Sequence, residues 1–255
     1  MYHAIDRAKS KRIDKNEQFY NVTPERFAKE MRYLKENGFN TITLDDLIRS
    51  EDEGELPDNP IMLTFDDGHI SNFEFALPIL KEFGFTGVFF LVVNDIGKRN
   101  RISWKQARAL KDSGMDIGSH GMNHHILNKA SHIKLVSEMK ASKIMLEKEL
   151  DMKISAFSIP RGLYSKKISH VARGTGYKLT FTSFTGNSSL SSDPHCLRRT
   201  TMRGGYSMKD FISIIHKNPI FIIKRYVEQF IKGGLKMTIG VKGYDKIKKV
   251  LFSKA

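Results

Sequence analysis

The chain has 255 residues, 40% of them hydrophobic, which is enough to bury the core of one large domain or of two small ones. Its single cysteine, Cys196, excludes an internal disulfide framework, and we expect a buried small residue there rather than a nucleophile. No run approaches the ~20 apolar residues of a membrane-spanning helix, and no signal-peptide pattern follows Met1. We therefore expect a cytoplasmic or peripheral membrane protein, with a leader ahead of the given sequence left open.

The net charge of +14 is concentrated near the C terminus. Residues 207–255 hold eleven Lys/Arg and three Asp/Glu, a difference of +8. Two interpretations stay open: a solvated basic surface without a partner, or attraction to an anionic membrane or an acidic polymer. Nucleic-acid binding is not expected, because zinc-finger spacing, an RNP-like motif and a dense basic helix are all missing.

Segments that predict helices alternate along the chain with short apolar runs that predict buried strands. The predicted helices are 23–39, 45–49, 72–83, 103–110, 131–150 and 165–174. The predicted strands are 40–44, 61–65, 87–93, 115–119, 154–159, 177–183 and 196–202. A polar loop is predicted at 51–60, and Pro78 is expected to kink the third helix. An alternation at intervals of about 25 to 40 residues favours a parallel sheet wrapped by helices.

Two adjacent carboxylates, Asp66 and Asp67, end one of the predicted strands, and Gly68 follows as a turn residue. Active sites of α/β folds are built at the carboxyl ends of strands. Neighbouring side chains on an extended backbone point in different directions. One of the two acids could therefore hold a metal ion while the other moves a proton.

A histidine cluster follows the predicted strand 115–119. His120 and His124 are four residues apart, and on a helical turn this spacing would place both rings on one side. Together with a carboxylate they could form a three-ligand site, as in catalytic zinc centres. His125 could replace His124 in that role. An Asp-Asp-Gly turn or a histidine pair is weak by itself, but both clusters follow predicted core strands.

These motifs resemble those of the NodB-homology polysaccharide deacetylases, carbohydrate esterase family 4. The matching segments are Thr64-Phe65-Asp66-Asp67-Gly68, Ser119-His120-Gly121-Met122-Asn123-His124 and Ser158-Ile159-Pro160-Arg161-Gly162-Leu163-Tyr164. The resemblance extends from about Tyr2 to Thr201. The Tyr2-His3 start is similar to the branch that contains poly-N-acetylglucosamine deacetylases.

The resemblance implies a distorted (β/α) barrel, which we place at residues 1–206. The remaining residues, 207–255, carry apolar side chains at helical spacing with lysines between them, which predicts a basic amphipathic extension. It implies removal of N-acetyl groups from an N-acetylated polysaccharide or glycan with a divalent metal, usually Zn²⁺, with Co²⁺ or Ni²⁺ as alternatives. The implied roles are those of a general base for Asp66, of metal ligands for Asp67, His120 and His124, and of an oxyanion-binding turn for Pro160, Arg161 and Gly162.

The sequence departs from the family pattern in three places. Ser158 stands where an arginine usually orients the base, so Arg161 is expected either to compensate or to bind an anionic substrate. The late Leu-x-His motif is missing, and His3 is then the expected general acid unless it is a terminal surface histidine. The Asp-Trp motif is also missing, and Trp104 is expected to be a packing residue.

Two rival functions remain open at this stage. One is an O-deacetylase or another metal amidohydrolase on the same barrel, since both reactions would use the same water and oxyanion site. The other is a non-catalytic glycan-binding or membrane-tethered scaffold, which the missing motifs would explain.

Overall fold

A curved sheet of parallel strands lies at the centre of the protein. The computed structural model describes residues 1–15 and 17–228, without the side chains of 51–53. The strands are β1 (Asn40–Thr41), β2 (Pro60–Ile61), β3 (Thr64–Phe65), β4 (Val88–Leu91), β5 (Asp116–Ser119), β6 (Ala156–Ser158) and β7 (Leu179–Phe181). Strands β3 to β7 form one parallel sheet in sequence order, and β1 pairs with β2 beside it. This arrangement confirms the predicted distorted (β/α) barrel.

Irregular backbone closes the gap between the two edges of this sheet. At the β3 edge, the Tyr2 amide donates to the Thr64 carbonyl at 2.7 Å, and the Asp66 amide donates to the Tyr2 carbonyl at 3.0 Å. At the β7 edge, the Leu197 amide donates to the Thr180 carbonyl at 2.9 Å. Both ends of the wall then meet, because the Met202 amide donates to the carbonyl of Met1 at 2.8 Å. The chain's first residues therefore belong to the barrel wall.

Helices cover the outside of the sheet. They are α1 (Pro24–Glu36), α2 (Leu44–Glu53), α3 (Leu77–Phe83), α4 (Trp104–Asp112), α5 (His132–Leu150), α6 (Lys166–Gly174) and α7 (Met208–Ile215), and residues 219–228 are also helical. Hydroxyl side chains accept a hydrogen bond from the first turn of six of them, as expected for N-caps: Thr23, Thr43, Ser103, Ser131, Ser165 and Ser207.

Three sequence predictions need correction. The predicted strand 196–202 is not a strand, since only Leu197 makes an isolated bridge, to Phe181. The loop predicted at 51–60 is shorter in the structure, because α2 continues to Glu53 and β2 already starts at Pro60. The predicted helix 72–83 is a π-helical turn over 72–76 followed by α3. Pro78 lies at the start of α3, directly after the π-helical turn, in which the Leu77 N–H donates to the Asn72 carbonyl.

Aromatic packing fixes the strand that leads into the acidic pair. The ring of Phe65 stacks on that of Phe89 with centroids 4.6 Å apart, and on Tyr2 at 5.5 Å. Phe27 of α1 meets both Tyr2 and Phe65 edge-on. All four side chains are almost fully buried. Burial of this size stabilises the fold by roughly 1.5–3 kcal/mol per side chain and holds the end of β3 in place.

The carboxyl ends of the strands meet at one rim of the barrel. Asp66 follows β3, His120 follows β5 and Pro160 comes shortly after β6. Because the strands are parallel and adjacent, residues that are far apart in sequence become neighbours at this rim. Within residues 1–15 and 17–228, none of the helices has the length and apolar character needed to cross a bilayer.

Gly118 lies at a tightly packed position inside the barrel, and replacing it tests that packing. A Cβ atom at Gly118 would lie 2.4 Å from two ring atoms of Phe90, which is closer than real contacts allow. We expect Gly118→Ala to lower the free energy of unfolding by about 1–3 kcal/mol through overpacking. Gly174→Ala in α6 is the control, because a Cβ there meets nothing within 4 Å. Urea titrations showing equal stability for both variants would contradict this packing.

Candidate active site

Three side chains converge at the rim as a candidate metal site. Oδ1 of Asp67 lies 3.3 Å from Nε2 of His120 and 3.4 Å from Nε2 of His124. One ligand atom from each residue fits within a group whose members are all within 4.8 Å of one another. The sequence-predicted ligand set is thus brought together by the fold.

The chemistry of this group fits a divalent cation. The carbonyl oxygen of Ser158 can only accept a hydrogen bond, so Nδ1 of His120 carries a proton and donates it at 2.8 Å. The other ring nitrogen, Nε2, faces Asp67 and is the one that could bind a metal ion. Oδ1 of Asp67 is buried, and it has no hydrogen-bond partner within the described part of the chain. Burial, and then the charge of His120, lowers the pKa of His124 to about 4, so its ring is neutral at pH 7. Two imidazole nitrogens and one carboxylate oxygen are donors typical of Zn²⁺ and also suit Co²⁺ or Ni²⁺.

The two histidines do not share a helix, contrary to the predicted helical turn. Residues 120–126 contain no helix, and His124 returns to the site through a left-handed backbone with φ of 54°. Gly121 also has a positive φ, of 83°. Asp67 adopts a left-handed conformation as well, at φ of 71°. Left-handed conformations are costly for residues other than glycine, and such strain is commonly found at functional sites.

A buried carboxylate, Glu138 of α5, holds this loop in place. One of its oxygens accepts the backbone N–H groups of Met122 and Asn123 at 3.1 and 3.0 Å. The other accepts from the side chains of Asn123 at 2.8 Å and His125 at 2.7 Å. Burial alone would raise the pKa of Glu138, but the bonds from Asn123 and His125 outweigh it and lower the pKa to about 2. His125 is thereby turned toward α5, and His124 is the histidine that faces Asp67.

The second acid, Asp66, is paired with an arginine that sequence reasoning missed. Nη1 and Nη2 of Arg199 donate to the two carboxylate oxygens of Asp66, each at 2.8 Å. The Ser158 hydroxyl donates to Oδ2 of Asp66 at 3.0 Å. Burial favours a higher pKa for Asp66, but the charges of Arg199 and His120 outweigh it and lower the pKa to about 2. Asp66 is therefore ionised at neutral pH.

Arg199 fills the place that Arg161 was expected to take. It lies after β7, and its Nε donates to the carbonyl of Thr182 at 3.0 Å. Its guanidinium also lies over the rings of Phe90 and Phe181, at 5.4 and 5.6 Å from their centroids. The one available signal in the sequence was an arginine inside a segment predicted to be buried, where a charge needs a partner.

His3 lies at the same rim. Its ring stacks on that of Tyr20 with centroids 4.8 Å apart. Its Nδ1 is buried, and none of the described residues forms a hydrogen bond with it. Burial lowers the pKa of His3, and the nearby charges of Asp67 and Asp66 partly oppose this. His3 is therefore not a surface histidine but a half-buried ring within electrostatic reach of both acids.

The turn Pro160–Gly162 also reaches the rim, directly after β6. Arg161 has a φ of 61°, and its charge contributes to lowering the pKa of His124. A Cβ at Gly162 would lie 2.3 Å from the side chain of Ser183, so only glycine fits there. The role of the Arg161 N–H toward an oxyanion stays a prediction.

Other residues noted in the sequence have structural surroundings. Trp104 is half-buried against the main core, as predicted. Asp116 accepts the N–H of Leu44 at 2.7 Å and so ties α2 to the sheet. Cys196 is a half-buried free thiol, and burial raises its pKa, which disfavours a nucleophile.

The parallel sheet carries an Asp-His-His cluster and an ionised carboxylate at its rim, a set of groups suited to hydrolysis at a bound metal ion. Comparison with known proteins identifies the family. The polysaccharide deacetylase family matches residues 53–180, half of the chain. The chain belongs to this family, and membership makes it an enzyme of the deacetylase class.

Individual relatives agree with this assignment. The polysaccharide deacetylase-like protein YxkH of Bacillus subtilis is 28% identical over 83% of this chain and 73% of its own length. A poly-beta-1,6-N-acetyl-D-glucosamine N-deacetylase of Staphylococcus epidermidis is 26% identical over 64% of this chain, and the match spans 61% of the relative. The structure of the Streptococcus pyogenes deacetylase PplD aligns with a TM-score of 0.77 at 27% identity, covering 84% of this chain and 95% of that one.

The ion pair between Arg199 and Asp66 makes stability depend on pH. The pKa of Asp66 falls from 3.8 to about 2 on folding. The contribution of the ion pair to the free energy of unfolding is therefore fully present above about pH 4, and it is lost as the pH falls toward about 2. We expect Arg199→Leu to lower the free energy of unfolding by about 3–5 kcal/mol at pH 7, because a buried carboxylate is left unpaired.

Urea titrations of Arg199→Leu, Asp66→Asn and the double variant measure this coupling. The double variant should lose less stability than the sum of the single variants, and the penalty of Arg199→Leu should shrink in acid. Additive losses that do not change with pH would contradict a coupled pair.

Glu138 should control metal affinity through the loop that carries His124. We expect Glu138→Gln to weaken Zn²⁺ binding by about 10–100-fold, because the neutral amide leaves the backbone donors of Met122 and Asn123 less firmly held. Glu149→Gln on the same helix is the matched control, since Glu149 forms an ion pair with Arg108 at the surface. Competition titrations with a chromogenic chelator measure the affinity, and equal values for both variants would refute this role.

Proposed function

We propose that this enzyme hydrolyses N-acetyl groups of an N-acetylated amino-sugar polysaccharide or glycan. The observation that carries the proposal is the ionised Asp66 beside the Asp67, His120 and His124 cluster, with Oδ2 of Asp66 only 3.9 Å from Nε2 of His120. The N-deacetylase relative of Staphylococcus epidermidis supports the choice of an N-acetylated polymer.

Asp67, His120 and His124 would hold a divalent metal, for which Zn²⁺ is the first choice. When bound, this ion supplies a Lewis acid that polarises the acetyl carbonyl and makes water more acidic. The neighbouring carboxylate of Asp66 takes the proton of the attacking water. Arg199 and Ser158 hold that carboxylate in one orientation and keep it ionised, which is the state a base requires.

Hydrolysis also needs a proton for the departing amine and a donor for the developing oxyanion. The hydroxyl of water adds to the acetyl carbon, the C–N bond breaks, and the sugar nitrogen takes up a proton as acetate leaves. We assign the proton donor to His3, whose Nδ1 is buried at the rim and has no hydrogen-bond partner among the described residues. The backbone N–H of Arg161 is assigned to the oxyanion, because its turn follows β6 at the same rim.

The missing family motifs left a non-catalytic scaffold open as an alternative. Arg199 weakens that alternative, since it orients the base from a different part of the chain. An O-deacetylase would use the same residues and is distinguished by its substrate. The proposal of an N-deacetylase is therefore tested with paired substrates.

We expect the enzyme to release acetate from N-acetylglucosamine oligomers. The release should stop after treatment with a chelator and return when Zn²⁺, Co²⁺ or Ni²⁺ is added. Asp66→Asn should lower kcat by about 10²–10⁴-fold, because the general base is removed. Asp112→Asn is the matched control, since Asp112 is an exposed acid on α4. A coupled assay for acetate gives the rates.

His3→Gln should lower kcat while leaving metal affinity unchanged, because His3 is assigned to proton donation and not to the metal.

The same assay on O-acetylated oligomers separates the two deacetylase classes. Faster release from the O-acetylated substrate would overturn the N-deacetylase proposal. Full activity of Asp66→Asn would overturn the mechanism.

A further inference from the structure

The last described helix, residues 219–228, exposes apolar side chains to solvent and buries a charged one. Four apolar side chains point to solvent: Ile220 is 79% exposed, Ile223 62%, Tyr226 52% and Val227 50%. Their spacing places them on one face of the helix. Arg225, by contrast, is only 8% exposed. Soluble surface helices show the opposite pattern, with the apolar stripe facing the core.

The inward face of this helix is held by specific contacts. Nη1 of Arg225 donates to Oε2 of Glu228 at 2.7 Å, and Arg203 reaches the same oxygen at 3.6 Å. The guanidinium of Arg225 also lies 5.3 Å from the ring centroid of Tyr206, which packs edge-on against Phe221 at 5.9 Å. These contacts fix the rotation of the helix, so its apolar face remains directed outward.

Charge indicates what could cover this outward face. Lys217 and Lys224 are exposed next to it. The following residues 229–255 lie outside the described part and contain seven lysines and one aspartate, a net charge of +6. A second copy of a chain with net charge +14 would be repelled. An apolar helix face flanked by lysines matches the interfacial helices that lie in the headgroup region of anionic membranes.

We propose that the outward face of residues 219–228 is a docking surface for an anionic lipid bilayer. The apolar side chains Ile220, Ile223, Tyr226 and Val227 enter the headgroup boundary, and the lysines contact the lipid phosphates. The surface lies on the His3 side of the barrel, because Arg203 sits over Phe19 at 4.8 Å and Phe19 adjoins Tyr20, on which His3 stacks.

Co-sedimentation of the full-length protein with lipid vesicles tests this surface. We expect binding to vesicles of phosphatidylcholine with phosphatidylglycerol, weaker binding at high salt, and little binding to pure phosphatidylcholine. The triple variant Ile220→Ser, Ile223→Ser, Val227→Ser should lower the partition coefficient by about tenfold or more. Lys217→Gln and Lys224→Gln should each lower it by up to about fivefold.

The matched control replaces exposed apolar residues elsewhere on the surface. Ile133 and Ile144 on α5 are 82% and 54% exposed, and Ile133→Ser with Ile144→Ser should leave vesicle binding unchanged. Thermal unfolding and sedimentation velocity are measured for each variant.

Three results would overturn the proposal. If the triple variant binds vesicles as the wild type does but unfolds at a lower temperature, the face is covered by the chain's own residues. If the wild type is a dimer that this variant dissociates without any vesicle binding, the face is an interface between copies. Equal binding to neutral and anionic vesicles would remove the role of the lysines.

Discussion

The buried pair of Arg199 and Asp66 connects the wall of the barrel to its chemistry. Arg199 belongs to the irregular segment that closes the barrel after β7, and Asp66 ends β3 on the opposite edge of the sheet. Two hydrogen bonds of 2.8 Å join them across this gap. The same contact that helps to close the barrel keeps the proposed base ionised and oriented.

Such a pair is a weak source of stability, because desolvating two charges costs about as much as their attraction returns. A leucine and an asparagine could fill similar space without that cost. We interpret the ion pair as a requirement of function, since a buried carboxylate without a cationic partner would be protonated near neutral pH and could not act as a base. The guanidinium also donates to the Ser158 hydroxyl at 2.8 Å and lies over the rings of Phe90 and Phe181, which helps to hold its orientation.

The metal cluster depends on backbone shape as much as on ligand identity. Asp67 and His124 both have a left-handed backbone, with φ of 71° and 54°. Glu138 stabilises the unusual loop by satisfying its N–H groups from a neighbouring helix. Since the cost of a left-handed residue is of the order of 1–3 kcal/mol, a buried carboxylate with several donors is a suitable compensation.

Local sequence determined much of this protein. The TFDDG segment, the histidine pair and the strand-helix alternation predicted the barrel class and the residues Asp66, Asp67, His120 and His124, because apolar runs and polar strand ends are local properties of the chain. Tertiary structure alone decided which arginine pairs with Asp66, that His124 rather than His125 faces the cluster, and that His3 lies at the rim. These three outcomes depend on contacts between segments as far apart as 133 residues, and the order of residues along a chain does not specify such contacts.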